Sequence, residues 1–309
     1  MHLVVTGGAG FLGRWVVRSL LARGDSVLAL DDLSNGSEGN VAEFGGNAGF
    51  RLLRGDVRDR SAVAKAFAGG VDQCYHLAAM IEVQKSLDDP VRAMEVNVNG
   101  TLNVLEACRQ ARAKMILVST CMIYDKASSP QGIAEDHPVK PASPYAASKL
   151  AAEYLALSYG LGYGLPVTVL RPFNIYGPFQ KTNQEGGVVA VFLRRALDGR
   201  PLEVFGDGTQ TRDLLYVEDC VDFLLRAGDS SQAEGEVLNA GTGREVTINE
   251  LAGLVAGPGG TVRHVAHPHP LSEIARLRCD AGKAARLLGW KPRTPLEAGL
   301  RRTREWMAG

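Results

Sequence analysis

Tyr145 and Lys149 stand four residues apart where a helical pattern begins, opened by Ser143-Pro144. Residues i and i+4 share a helix face, so the Lys149 ammonium can lie below the Tyr145 phenol. A phenol titrates near about 10, and a neighbouring cation and the positive end of a helix both favour its ionised form. Tyr145 is therefore a candidate general base at neutral pH. Such a pair also arises by chance on exposed helices, so it needs support from elsewhere in the chain. Upstream, the apolar run Ile116-Leu-Val-Ser119 ends in Thr120-Cys121-Met122. Ligands bind at the carboxyl ends of strands in open α/β sheets, and there Thr120 can bond the same substrate hydroxyl as Tyr145.

A second constellation binds rather than reacts. Gly7-Gly-Ala-Gly10-Phe-Leu-Gly13 follows an apolar run and opens a helix. Gly7 permits the tight turn, Gly10 lets the backbone approach a pyrophosphate, and Gly13 allows close helix–strand packing. The helix N-terminus offers free N–H groups to the phosphates. Asp31 ends the next apolar run, where a carboxylate can bond the adenosine ribose hydroxyls. An acid there would repel a 2′-phosphate, and no Arg or Lys occupies positions 32–36, so NAD is expected rather than NADP.

These residues need elements to hold them. Short β-branched runs at Leu3–Thr6, Ser26–Leu30, Phe50–Leu53, Gln73–Leu77, Met115–Ser119 and Val167–Arg171 predict strands. Helical patterns lie between them at Phe11–Ala22, Ala62–Ala68, Val91–Arg112 and Tyr145–Tyr159. Strands alternating with helices predict a doubly wound parallel sheet in an α/β fold. After Arg171 the alternation loosens. Helices are expected at Val188–Leu197, from Val217, from the capping box at Thr247–Glu250, and near Gly282–Leu288 and Leu296–Met307. Strands are expected at Leu202–Phe205 and Glu236–Ala240. The expected division is a cofactor domain over residues 1–171, with returning segments near 213–242, and a smaller α/β substrate lobe over 172–309.

Composition narrows the partners. The chain has 34 Lys+Arg against 34 Asp+Glu, and like charges cluster only in pairs such as Arg194-Arg195, so no nucleic-acid footprint is expected. No run approaches the ~20 apolar residues of a membrane helix. No basic segment or cleavage site precedes the first strand, so a secretory signal is not expected. Cys74, Cys108, Cys121, Cys220 and Cys279 form no CxxC pair, which predicts reduced thiols and a cytoplasmic protein. His264, His267 and His269 share a Pro-rich stretch without carboxylate or thiolate partners at ligand spacing, so no metal site is expected.

Together these segments resemble the extended short-chain dehydrogenase/reductase family, in its nucleotide-sugar epimerase/dehydratase branch. The resemblance covers essentially the whole chain. It rests on Thr6–Gly13, Asp31–Gly36, Gly55-Asp56-Val57, His76-Leu-Ala-Ala79, Asn97-Val-Asn-Gly100, Thr120, Tyr145 with Lys149, and Arg171-Pro-Phe-Asn174-Ile-Tyr-Gly-Pro178. Gly206 to Asp213, Val217-Glu-Asp219 and Leu288-Gly-Trp290 extend it. The resemblance implies a Rossmann sheet with NAD as cofactor. It implies that the Phe11 and Leu12 amides hold the pyrophosphate, and that Asp31, Asp32, Asn35 and Gly36 surround the adenosine ribose. Asp56 and Val57 would contact adenine, and Leu77, Ala78, Ala79 and Asn97 would line the cleft. Lys149 would bond the nicotinamide ribose, with Phe173 beside the nicotinamide. Asn174 and Arg212 resemble residues that grip the substrate diphosphate, and Phe205 lies where a side chain flanks the nucleotide base. A homodimer through the helices near Val91–Arg112 and Tyr145–Tyr159 is also implied.

Similar enzymes share a first step in which the Tyr145 equivalent takes the proton of the sugar 4-hydroxyl while hydride leaves C4 for NAD. Dehydratases and decarboxylases of this kind carry an acid about two places after the Thr120 equivalent, whereas this chain has Cys121 and Met122. Epimerisation needs no extra acid, because the keto sugar rotates and the hydride returns to its other face. The resemblance therefore points to a nucleotide-diphosphate-sugar 4-epimerase of UDP-glucose/UDP-galactose type. A dehydratase or decarboxylase using Cys121, or a nucleotide-sugar reductase, is the alternative. A non-catalytic dinucleotide sensor would have lost Tyr145 or Lys149. His269-Pro-Leu-Ser-Glu273 replaces the Arg-x-Gly-Asp run of similar enzymes, and His267, His269 or Arg276 can stand in for the missing arginine.

Overall fold

The computed structural model describes residues 1–126, 132–182, 187–267, 270 and 273–309. The chain runs β1 (His2–Thr6), α1 (Phe11–Ala22), β2 (Ser26–Asp31), β3 (Phe50–Arg54), α2 (Arg60–Ala66), β4 (Gln73–His76), α3 (Val83–Asp88), α4 (Pro90–Met94), α5 (Gly100–Ala111), β5 (Lys114–Val118), α6 (Pro144–Tyr163) and β6 (Val167–Pro172). It continues through β7 (Ile175–Tyr176), α7 (Val188–Leu197), β8 (Leu202–Phe205), β9 (Thr211–Asp213), β10 (Leu215–Tyr216), α8 (Val217–Asp229), β11 (Val237–Ala240), β12 (Glu245–Thr247), α9 (Ile248–Ala256) and β13 (Val262–Val265). Two last helices follow, α10 (Gly282–Leu288) and α11 (Leu296–Ala308).

Seven strands form one parallel sheet in the order β11-β6-β5-β4-β1-β2-β3. Both faces are covered, so apolar side chains alternate between two cores. Leu3 and Val5 of β1 and Ile116 and Val118 of β5 share one core with Val16, Val17 and Leu20 of α1 and Phe223 and Leu224 of α8. Val4, Met115 and Leu117 share the other with Val104 and Leu105 of α5 and Ala152 and Ala156 of α6. This continuous apolar patterning is what a sheet buried on both faces requires. β8 and β13 pair beyond the main sheet, as do β9 with β12 and β7 with β10.

Three features position the site. In α6 the buried stripe runs Tyr145, Lys149, Ala152, Ala156 and Tyr159, so the reactive pair rides on the face that packs against the sheet. Ser143 caps this helix by accepting the Ala146 N–H at 3.2 Å, with Pro144 in its first turn. The single helix expected over Val91–Arg112 is instead interrupted. A π-helical segment at Glu95–Asn99 separates α4 from α5, and Arg112 caps α5 in the left-handed region at φ 56°. The strand expected to reach Leu77 stops at His76: the Leu77 amide is shared between the Thr6 carbonyl at 3.1 Å and the Thr6 hydroxyl at 3.2 Å, and the Ala78 amide turns to that hydroxyl at 3.2 Å.

Candidate active site

The glycine turn is built for a backbone-hugging ligand. Gly7 has φ 69°, and a Cβ there would lie 2.8 Å from the Ala78 nitrogen. Gly10 caps α1 without a side-chain bond, so the first-turn N–H groups of Phe11, Leu12 and Gly13 stay available to an anion. A Cβ on Gly13 would collide with the Gly7 carbonyl. Asp31 is buried at the end of β2, where its carboxylate accepts the Ala9 N–H at 2.9 Å and the Leu33 N–H at 2.8 Å. Burial nevertheless raises its pKa. Gly36 passes so near that a Cβ would lie 2.8 Å from the Ala9 carbonyl carbon. Asp32 is turned to Ser34, accepting its hydroxyl at 2.6 Å. Asp56 is held by the Arg58 guanidinium at 2.7 Å, which outweighs burial and lowers its pKa. Val57 is buried against Gly100.

Three buried side-chain atoms lack a partner among the described residues, Gln180 Oε1 and two that lie just past strands of the main sheet. Asn35 Oδ1 and Ser119 Oγ are buried without a partner. Unsatisfied buried polar atoms are rare. Asn35 follows Asp31 in the loop after β2, and Ser119 directly follows β5, beside Thr120. A glycine cradle, a free helix end, a buried acid after β2 and these two atoms together fit a dinucleotide lying across the strand ends.

The reactive residues meet at the end of β5. The Thr120 hydroxyl lies near enough to the Tyr145 phenol to favour its ionised form, and it accepts the Met122 N–H at 3.2 Å. Lys149 Nζ donates to the Val118 carbonyl at 2.7 Å. Burial pulls the Lys149 pKa down to about 8, with Glu153 opposing. Burial pushes the Tyr145 phenol up to about 12, against the bond from Thr120. The lowering expected from Lys149 and the helix end is not what sets this pKa: desolvation raises it, opposed by Thr120. Cys121 is buried in a cluster with Phe173, Ala146 and Cys279, and burial pushes its thiol up to about 12. Ser86 of α3 accepts the Tyr145 N–H at 3.1 Å, a support without any signal in the sequence.

Farther out, Asn174 donates to the Asp213 carbonyl at 3.3 Å. Arg212 pairs with Glu273 and donates to the Thr211 and Ile274 carbonyls at 2.7 and 3.0 Å. His267 bonds the other Glu273 oxygen at 2.6 Å, and its ring meets the half-exposed Phe205 ring edge-on at 5.7 Å. The reading that this stretch lacks carboxylate partners is corrected by Glu273. Arg276 turns instead to Glu245, at 2.8 Å, and His269 lies outside the described residues. Among the described residues no group of acids, cysteines and histidines could hold a metal ion. A separate open cavity of about 530 Å³, lined by Gln180, Lys181, Arg194 and Trp306 among others, shares no residue with the Tyr145 cluster.

A family model described as the NAD dependent epimerase/dehydratase family matches residues 3–241. The chain belongs to that family. It is 38% identical, over 99% of its length and 98% of the relative's, to a UDP-glucose 4-epimerase of Mycolicibacterium smegmatis. The structure of Pal from Bacillus thuringiensis superposes with a TM-score of 0.98 at 51% identity, covering 100% of this chain and 99% of that one. The NAD complex of Thermus thermophilus UDP-glucose 4-epimerase superposes with a TM-score of 0.91 at 37% identity, with 100% and 99% covered. Proteins named as a UDP-sugar decarboxylase and a dTDP-glucose 4,6-dehydratase are similar at 33% identity. Family membership therefore establishes an NAD-dependent enzyme on a Rossmann-type sheet, with epimerases and lyases alike among its relatives.

Proposed function

We propose that this chain is a nucleotide-diphosphate-sugar 4-epimerase of UDP-glucose/UDP-galactose type. The observation that carries this reading is the chemistry available beside Thr120. Dehydration across C5 and C6 of a 4-keto sugar needs a group to take the C5 proton, and decarboxylation needs one to return a proton to C5. The positions after Thr120 hold Met122, which carries no proton, and Cys121, a buried thiol kept neutral. A thiol held neutral is a poor base for the C5 proton, whereas Tyr145 with Thr120 can take the 4-hydroxyl proton and return it, which suffices for epimerisation.

In this reading Tyr145 takes the proton of the sugar 4-hydroxyl and later returns it, while Thr120 bonds the same oxygen and orients it. Lys149, with its lowered pKa, holds the ribose next to the nicotinamide. NAD supplies the hydride acceptor and a positive ring charge. That charge and the Lys149 ammonium are the cations a phenol near 12 needs in order to serve as a base at neutral pH. Phe11, Leu12, Asp31, Asn35, Gly36, Asp56, Val57, Leu77, Ala78, Ala79, Asn97 and Phe173 contact the cofactor. Asn174, Arg212 and Phe205 receive the nucleotide part, with Arg212 leaving Glu273 for a phosphate. Residues 1–171, with the returning segments near 213–242, form the cofactor lobe, and the rest of 172–309 the substrate lobe. The five cysteines are free and buried, which suits the cytoplasm.

A homodimer belongs to the same reading. Leu87, Val91 and Met94 on α3 and α4, and Tyr154 and Leu161 on α6, are exposed on helices that pack together. Exposed large apolar side chains gathered on neighbouring helices suit an interaction surface, and a second copy of the chain is its proposed occupant. The activity is tested by incubating the pure enzyme with UDP-, dTDP-, GDP- and CDP-sugars and separating the products. A UDP-sugar converted into an isomer of equal mass supports the reading; a product lighter by water or carbon dioxide replaces it with a lyase.

A further inference from the structure

We infer that His76 is a positioning residue, an imidazole protonated only on Nε2 that ties the cofactor turn to the Tyr145 helix. The proposal rests on the reading of Tyr145 as the base. It follows from counting protons along one chain of buried bonds. Thr101 Oγ donates its single proton to the Asn97 carbonyl at 2.6 Å. Its contact with His76 Nε2 at 2.9 Å must then be a bond that the imidazole donates. With the proton on Nε2, Nδ1 is an acceptor, and it takes the Thr6 hydroxyl proton at 2.6 Å. The Thr6 oxygen is thereby free to accept the Leu77 and Ala78 amides. Each link allows one direction only.

The far end of this chain reaches the reactive helix. Asn97 uses its side chain to accept the Met80 N–H at 2.7 Å and to donate to the Ser148 hydroxyl at 2.8 Å. Ser148 in turn donates to the Tyr145 carbonyl at 2.7 Å. Thr6, His76, Asn97, Thr101 and Ser148 are all nearly inaccessible to water. A protonated imidazole would present a second N–H to a hydroxyl that already accepts two amides. Burial, and then the Lys149 charge, hold the His76 pKa down to about 3, so the arrangement persists at every working pH. The π-helical turn at Glu95–Asn99 is the break that brings the Asn97 side chain and carbonyl into this chain.

Two substitutions separate the ends. His76→Asn keeps an acceptor where Nδ1 lies and loses the donor to Thr101. His76→Gln keeps a donor where Nε2 lies and loses the acceptor for Thr6. With the NAD-loaded enzyme, the Asn variant is expected to hold NAD within about twofold while kcat falls about tenfold or more. The Gln variant is expected to lose about fivefold in NAD affinity with kcat nearly kept. A merely structural imidazole would lower the melting temperature in both and shift kcat and NAD affinity together, and that result overturns the proposal. In the wild-type holoenzyme, ¹⁵N spectra of His76 should show the Nε2–H tautomer without titration between about pH 5 and about pH 8. An Nδ1–H tautomer, or titration in that window, also overturns it. The spectra and the NAD affinities do not depend on which sugar is turned over. Failure of the epimerase reading would therefore show in the wild-type products and leave these readouts intact.

Discussion

At the scale of single residues, the site buries both a tyrosine and, one helical turn on, a lysine. Tyr145→Phe keeps the ring and its packing and removes the proton carrier. Steady-state assays should show kcat reduced by about 10³-fold, with NAD affinity by calorimetry changed only a few-fold; a variant retaining a tenth of the activity would remove Tyr145 from the role of base. His76 makes a prediction about stability. Its folded pKa, about 3, lies below the unfolded 6.5, so the unfolded chain binds the extra proton in between. The stability is present above pH 6.5 and drains away as pH falls toward 3. Urea unfolding at pH 7 and pH 5 should show a drop about 2 kcal/mol larger for the wild type than for His76→Asn. Equal drops would contradict the assignment. Local spacing made Gly7, Asp31, Thr120, Tyr145 and Lys149 legible in the sequence. The partners of Arg212 and His76 were not, because Glu273 and Thr101 reach them only through tertiary folding. The raised Tyr145 pKa was hidden for the same reason, since burial has no local signature.

Among the elements, the glycine turn between β1 and α1 leaves the least freedom. Gly13→Ala places a methyl against the Gly7 carbonyl, so the turn must open. NAD affinity should fall at least about tenfold, or 1.4 kcal/mol, with the circular dichroism of the folded chain retained. Unchanged affinity would place the pyrophosphate elsewhere. Most elements were readable from periodicity, and α1, α7, β8 and α10 fall on their expected residues. Those missed lacked a periodic signal. The helix α3 is six residues long and mostly polar, and β7, β9, β10 and β12 span two or three residues each. The π-helical turn was hidden inside a helix, because an extra residue in one turn barely disturbs an apolar stripe. That turn carries Asn97, so an irregularity invisible to pattern reading supports the site most directly.

For the whole molecule, alternating strands and helices predicted a doubly wound sheet with segments near 213–242 returning to it, and β11 does join it, though no local pattern specified β6 as its neighbour. The exposed apolar face on α3, α4 and α6 should be buried between two copies. Light scattering at micromolar concentration should give twice the 33.0 kDa chain mass, and Leu161→Glu, at a residue 92% exposed, should return it to one chain mass. A wild type that is monomeric would leave that face without its proposed occupant. The central claim is that the sugar loses and regains hydrogen at C4 alone. It is tested most directly with a UDP-sugar deuterated at C4, incubated with the enzyme in ordinary water, and by the unlabelled sugar in deuterium oxide. The prediction is an isomer of equal mass that keeps its deuterium at C4 and takes none from solvent at carbon. Solvent deuterium at C5 or C6, with loss of water or carbon dioxide, would contradict it.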